Sequence, residues 1–106
     1  MKPLRFIGTS RDDLRTFPAA VRQAIGEELA RVQWGFPPLD CKPMPSVGIG
    51  AYEVRVHVGG AWRAIYVAKR ADAIYVLHAF QKKTQKTGKS DIELAKHRYK
   101  LLRKTP

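Results

Sequence analysis

YEVRVHVGGAWRAIYVAK, residues 52–69, decides the fold class. Its first seven positions alternate apolar and polar side chains with the period of two that a half-buried strand requires. Gly59 and Gly60 break the pattern and residues 61–69 resume it, so the stretch reads as a β-hairpin. Two registers are open to it. A two-residue loop would set Arg63 opposite Val56 on the apolar face. A three-residue loop instead aligns Tyr52, Val54, Val56 and Val58 with Trp62, Ala64, Tyr66 and Ala68. The second register buries one coherent apolar set. It also gathers Arg55, His57, Arg63 and Lys69 on the opposite face, interleaved with Ile65 and Val67.

After the hairpin, residues 70–73 turn the chain into a third strand over 74–80, giving an antiparallel meander that the apolar run at residues 4–7 is placed to extend. Before it, residues 36–50 hold Pro37, Pro38, Pro43 and Pro45 with Gly48 and Gly50, a density of breakers that reads as a surface loop. Further upstream, Val21, Ile25, Leu29 and Val32 recur at helical steps between Pro18, which suits a first turn, and Gly35. A shorter helix opens at Ser10, where Ser10 and Asp13 resemble a capping box, and ends in a kink at Thr16 and Phe17. Downstream of the meander, residues 81–89 form a basic loop with Lys82, Lys83, Lys86 and Lys89. Ser90 and Glu93 cap a last helix that lines Ile92, Ala95, Tyr99 and Leu102 along one face and carries Lys96, Arg98, Lys100 and Arg103 elsewhere. The architecture expected is α+β: N-terminal helices packed on a small antiparallel sheet of three or four strands, with a basic C-terminal helix. One domain covering residues 1–106 is expected at this length.

Charge narrows the partner. Twenty Lys and Arg against nine Asp and Glu give a net +11, which favours a polyanion. Residues 1–53 hold seven basic and six acidic side chains, whereas residues 54–106 hold thirteen and three, so the binding surface belongs to the second half. Cys41 has no partner for an intrachain disulfide, and the N-terminus MKPLRFIGTSRDD meets charge before any apolar segment develops. No run approaches the roughly 20 apolar residues of a membrane span. A cytoplasmic protein without membrane contact is expected.

No phosphate-binding GxxxxGK[ST] loop, HExxH or paired-cysteine zinc motif is present, so no metal and no other cofactor is expected. His57, His78 and His97 are spread over two strands and a helix. Cys41 has no His or second Cys within ten residues to activate it. What remains is arginine and lysine with a few aromatic and imidazole groups. That set suits a phosphodiester, because guanidinium binds phosphate bidentately and aromatic rings stack on unpaired bases. RNA is the natural ligand. Its cleavage needs a base for the 2′-hydroxyl, positive charge on the phosphorane, and an acid for the leaving 5′-oxygen. Arginine and lysine supply the charge, and His57, His78, Tyr99 or a crowded lysine are the candidates for proton transfer. Structural roles compete: Tyr99 lies on the apolar helix stripe, and His78 sits in an apolar strand.

Four segments, YEVRV at 52–56, WRAIY at 62–66, LHAFQKKTQKT at 77–87 and SDIELA at 90–95, together resemble the phage-derived branch of the RelE/HigB/ParE toxin superfamily. The resemblance implies a microbial-ribonuclease-like α+β fold and the toxin role in a type II toxin–antitoxin module. It further implies metal-independent endoribonuclease cleavage of mRNA on the ribosome, and inhibition by a cognate helix-turn-helix antitoxin. It casts Arg63 as the transition-state-stabilising arginine, Arg55 as a basic residue of the preceding strand, and Lys82 or Lys83 as the basic residue after the last strand. With His78 these form the candidate catalytic set; His57, Phe80, Lys82, Lys86 and Lys89 are the candidate RNA contacts. Gly88 stands where many relatives carry proline. Two other outcomes belong to the same fold or charge: inhibition of DNA gyrase without cleavage, as in ParE-like relatives, and RNA binding without activity.

Overall fold

The computed structural model describes residues 1–102. Along the chain run β1 (Leu4–Phe6), α1 (Ser10–Arg15), α2 (Ala19–Gln33), β2 (Cys41–Pro43), β3 (Ala51–His57), β4 (Ala61–Val67), β5 (Ile74–Lys82) and α3 (Lys89–Leu101). They build one five-stranded sheet in the order β1-β5-β4-β3-β2, in which β1 runs parallel to β5 and every other pair is antiparallel. Two helices cover one face and α3 covers the other. The α+β class holds, with more strands than the three or four expected.

The additional strand, β2, lies in the segment read as a loop. Cys41, Lys42 and Pro43 pair with Val54, Glu53 and Tyr52. A proline is tolerated there because β2 is an edge strand, where a missing N–H removes no bond that the sheet needs. The hairpin takes the register that buries the coherent apolar set. Val54 faces Ala64, Val56 faces Trp62 and His57 faces Ala61, which leaves Val58, Gly59 and Gly60 as the loop. Gly59 and Gly60 adopt φ of 61° and 148°, a backbone that side chains rarely allow.

Each face of the sheet buries its own core. On one side Val21, Ile25, Leu29 and Val32 of α2 pack on Val54, Val56, Trp62, Ala64, Tyr66, Ile74 and Val76, and the ring of Phe17 tilts over Trp62 with centroids 4.7 Å apart. On the other side Ala95 and Leu102 join Met44, Val47, Ile65, Val67, Tyr75 and Leu77. Among the described residues no helix is long and apolar enough to cross a membrane.

Both expected capping boxes are corrected. Thr9, one residue earlier, occupies the cap of α1 and donates its hydroxyl to the Asp13 carboxylate at 2.9 Å. Ser10 is buried inside the helix and donates to the carbonyl of Val76, so its hydroxyl holds α1 to β5. Gly88 caps α3 with extended backbone, leaving Ser90 and Glu93 exposed in the first turns. Arg98, expected on the solvent side, is also buried. Its guanidinium donates to the Leu77 carbonyl and to the Thr9 hydroxyl, both at 2.9 Å, and so ties α3 to β5 and α1. Arg103 lies outside the described residues.

The sequence left the register of β5 unread, and it holds the decisive irregularity. Tyr66 pairs with Val76 but Ile65 pairs with His78, so Leu77 is an inserted residue. This bulge reverses the alternation of β5. Ile74 and Val76 point toward α2, whereas His78 and Phe80 share the α3 face with Ile65 and Arg63. Truncating Ile25, which is fully buried at the α2 face, should cost about 2–5 kcal/mol; urea denaturation of Ile25→Ala should move the midpoint without changing the slope.

Candidate functional site

The bulge and the hairpin register assemble a grid of side chains on the α3 face. Its rows, read across β3, β4 and β5, are Glu53–Ile65–His78, Arg55–Arg63–Phe80 and His57–Ala61–Lys82. Arg55 and Arg63 are therefore cross-strand neighbours, and His78 lies one row away. Sequence reasoning brought Arg55, His57 and Arg63 together; the bulge adds His78, Phe80 and Lys82. Lys69 does not join them, because it sits beyond the far end of β4 with its stem over Gly50.

Arg63 is only 2% exposed. A guanidinium cannot shed its charge at accessible pH, so such burial demands a counter-charge. Glu53, equally buried, supplies it, with a carboxylate oxygen 3.6 Å from Arg63 Nε. Burial pushes the Arg63 pKa down, Glu53 opposes that, and neighbouring Arg55 adds to it. Arg63 Nη1 donates to the Trp62 carbonyl at 3.0 Å, while Glu53 accepts from the Thr87 hydroxyl at 2.7 Å. Thr87 thus fastens the basic loop to the face. Arg55 is half-exposed and lies 3.9 Å from Asp40.

His78 is buried, its ring stacked on Phe80 with centroids 4.8 Å apart. Its Nε2 meets the Asp91 carboxylate at 2.7 Å, a contact from the first turn of α3. Phe80 therefore packs the imidazole and offers no free platform to a base. Lys82 is half-buried, while His57, Lys83, Lys86 and Lys89 are exposed around the rim. Tyr99 lies off the grid, half-buried, its hydroxyl donating to the Ile49 carbonyl and its ring filling the space over Gly48.

Among the described residues, the buried side-chain nitrogens without a hydrogen-bond partner are Arg55 Nε, Arg63 Nε and His78 Nδ1. All three lie in adjacent positions on this one face. Sequence reasoning missed Glu53, Thr87 and Asp91. The alternation that placed Arg55 and Arg63 also placed Glu53 with them, so Glu53 was legible; Asp91 and Thr87 reach the face only through the path of the loop.

Cys41 stands apart, at the sheet's edge. Burial, followed by the nearby Asp40 and Glu28 charges, pushes its thiol above the ordinary value of 9.0. Among the described residues no group of three or more metal-ligating side chains gathers.

Fold and face define a small basic α+β protein whose sheet carries paired arginines and a histidine between its layers. The family model described as Phage derived protein Gp49-like (DUF891) matches residues 12–100, which include the whole grid. The chain belongs to this family, which is related to toxin–antitoxin systems. None of the curated proteins matches it significantly.

Glu53→Ala leaves the Arg63 charge buried without its partner and should lower stability by about 3–5 kcal/mol, read by denaturant unfolding. Iodoacetamide should alkylate Cys41 slowly at neutral pH, with a rate that rises through a midpoint above 9.0.

Proposed function

We propose that the chain is the toxin of a type II toxin–antitoxin module, a RelE/HigB-like endoribonuclease that cuts mRNA on the ribosome without a metal and is held in check by a helix-turn-helix antitoxin. The observation that carries this reading is the set of orphaned nitrogens. A buried donor or acceptor without a hydrogen bond costs about 1–3 kcal/mol, and three such nitrogens on one face, Arg63 Nε among them despite its ion pair with Glu53, support a site for a polar ligand. A phosphodiester fits the set. Its non-bridging oxygens accept from Arg55 and Arg63, and the adjacent 2′-hydroxyl donates to His78 Nδ1.

The chemistry follows from those contacts. With the Nε2 hydrogen given to Asp91, the imidazole keeps its lone pair at Nδ1. His78 takes the 2′-hydroxyl proton, O2′ bonds to phosphorus, and the P–O5′ bond breaks. Arg55 and Arg63 balance the charge that builds on the phosphorane. The Lys83 ammonium protonates the departing 5′-oxygen, leaving a 2′,3′-cyclic phosphate and a 5′-hydroxyl. Lys82, Lys86, Lys89 and His57 hold the flanking phosphates.

Arg63 and His78 are 2% and 6% exposed, so RNA contact with them requires a rearrangement of the face. On this reading Thr87 leaves Glu53 before RNA reaches Arg63. The ribosome, on the same reading, supplies a surface that favours this open form, and naked RNA should be a poor substrate.

The test is to induce the chain in growing bacteria and map new 5′ ends on cellular mRNA. Arg55→Ala, at a half-exposed position that can be vacated without unfolding, should reduce cuts in translated frames by about a hundredfold or more. Arg63→Ala should abolish them, with circular dichroism reporting whether the fold survives. A charge-balanced buried arginine also suits a purely structural pair, and that favours one second reading, gyrase inhibition by a non-cleaving relative of the same fold. Growth arrest with intact mRNA would select it.

A further inference from the structure

The opposite face of the sheet carries a feature that cleavage leaves unused. Where α2 ends, Val32 and Phe36 face Tyr52, Tyr66, Ala68 and Ile74 across a groove of about 390 Å³. Tyr52, stacked on Tyr66 with centroids 6.0 Å apart, also lines a second hollow of about 280 Å³ with Pro43, Pro45 and Ile49. Tyr52 lines both hollows, and together they form the apolar belt at the β2–β3 edge. Phe36 in the groove and Ile49 in the second hollow lie 60% and 76% exposed, large side chains that a protein surface rarely leaves uncovered together.

The occupant is constrained by charge. Among the described residues that line the larger groove Lys2 alone is charged, and this groove lies on the sheet face opposite Arg55 and Arg63, so a nucleic acid has little to hold there. A second copy would bring another +11 into contact. At the groove the Lys2 ammonium donates to the Ala68 and Arg70 carbonyls at 2.7 and 2.8 Å. An ammonium has three hydrogens, so one remains for a carboxylate. The complement is an apolar peptide segment bearing an acidic side chain.

We propose that this belt is where a segment of the cognate antitoxin docks, its apolar side chains covering Phe36, Tyr52 and Ile49 and a carboxylate reaching Lys2; the identity of the partner rests on the toxin reading above. Docking in the larger groove grips the protein by the α2 face, opposite the cleavage grid. Toxicity and neutralisation should therefore be separable by mutation.

The experiment co-expresses the chain with the antitoxin of its own operon and measures growth, then measures the affinity of the purified pair by calorimetry. Phe36→Asp and Ile49→Asp, both at exposed positions, should still arrest growth but escape rescue, with affinity lowered about 30-fold or more. Lys2→Met should lower it less, about tenfold. Leu94→Asp, on the exposed side of α3, serves as the control and should be rescued like wild type. Rescue of the belt variants with unchanged affinity would overturn the proposal. So would a wild-type dimer, detected by light scattering, that Phe36→Asp dissolves while the antitoxin complex persists. If the wild-type chain does not arrest growth, the toxin reading fails, and the calorimetric affinities still decide the belt.

Discussion

The burial of one guanidinium organises much of this molecule. β4 lies at the centre of the sheet with helices or loops over both faces, so any polar side chain on it must find its partners inside the protein. Arg63 cannot become neutral, and Glu53 must therefore be buried beside it. Glu53 in turn needs more than one partner, and Thr87 provides the second by bringing the basic loop down onto the sheet. The loop's path then sets where α3 begins and puts Asp91 against His78. Charge burial on one strand thus propagates through a chain of contacts to the placement of a helix.

Stability alone is a poor reason to keep such a pair. Replacing a buried ion pair with apolar groups of similar size is often neutral or stabilising, whereas removing one partner is costly. Position 63 is flanked by Ile65 and Phe80, and an apolar residue would suit that environment. The arginine also leaves its Nε without a hydrogen bond, at 3.6 Å from the carboxylate, so the pair is not even fully satisfied. An arrangement that leaves hydrogen-bonding capacity open in a dry place fits a site built for a ligand better than one built for packing.

Much of the fold was legible because its signals are local. Alternation in residues 52–69 specified the hairpin and its three-residue loop, and the spacing of Val21, Ile25, Leu29 and Val32 specified the face that α2 buries. What escaped depended on contacts distant in sequence. β2 forms because Cys41–Pro43 lands beside β3, overriding the proline content that reads as loop. Arg98 is buried because Leu77 and Thr9, 21 and 89 residues away, offer acceptors. The candidate site divides the same way. Arg55 and Arg63 share a face by simple parity, but His78 reaches it only through the insertion of Leu77, since undisturbed alternation would have turned it toward α2.

That insertion links fold to chemistry. β5 must present Ile74 and Val76 to the α2 core at one end and a polar row to the α3 face at the other, and a regular strand cannot change the parity of its side chains along its length. One inserted residue makes the change at the cost of a single irregular step in the ladder. The same device separates the two surfaces of the protein: the scaffold core and the groove at the end of α2 on one side, the arginines and imidazole on the α3 side. Because net positive charge is concentrated after residue 53, the electrostatic field of the chain favours the second surface. The Thr87–Glu53 and Asp91–His78 contacts pin the basic segment and the start of α3 to that same face, so the charge after residue 53 is gathered by the partners that Glu53 and His78 require.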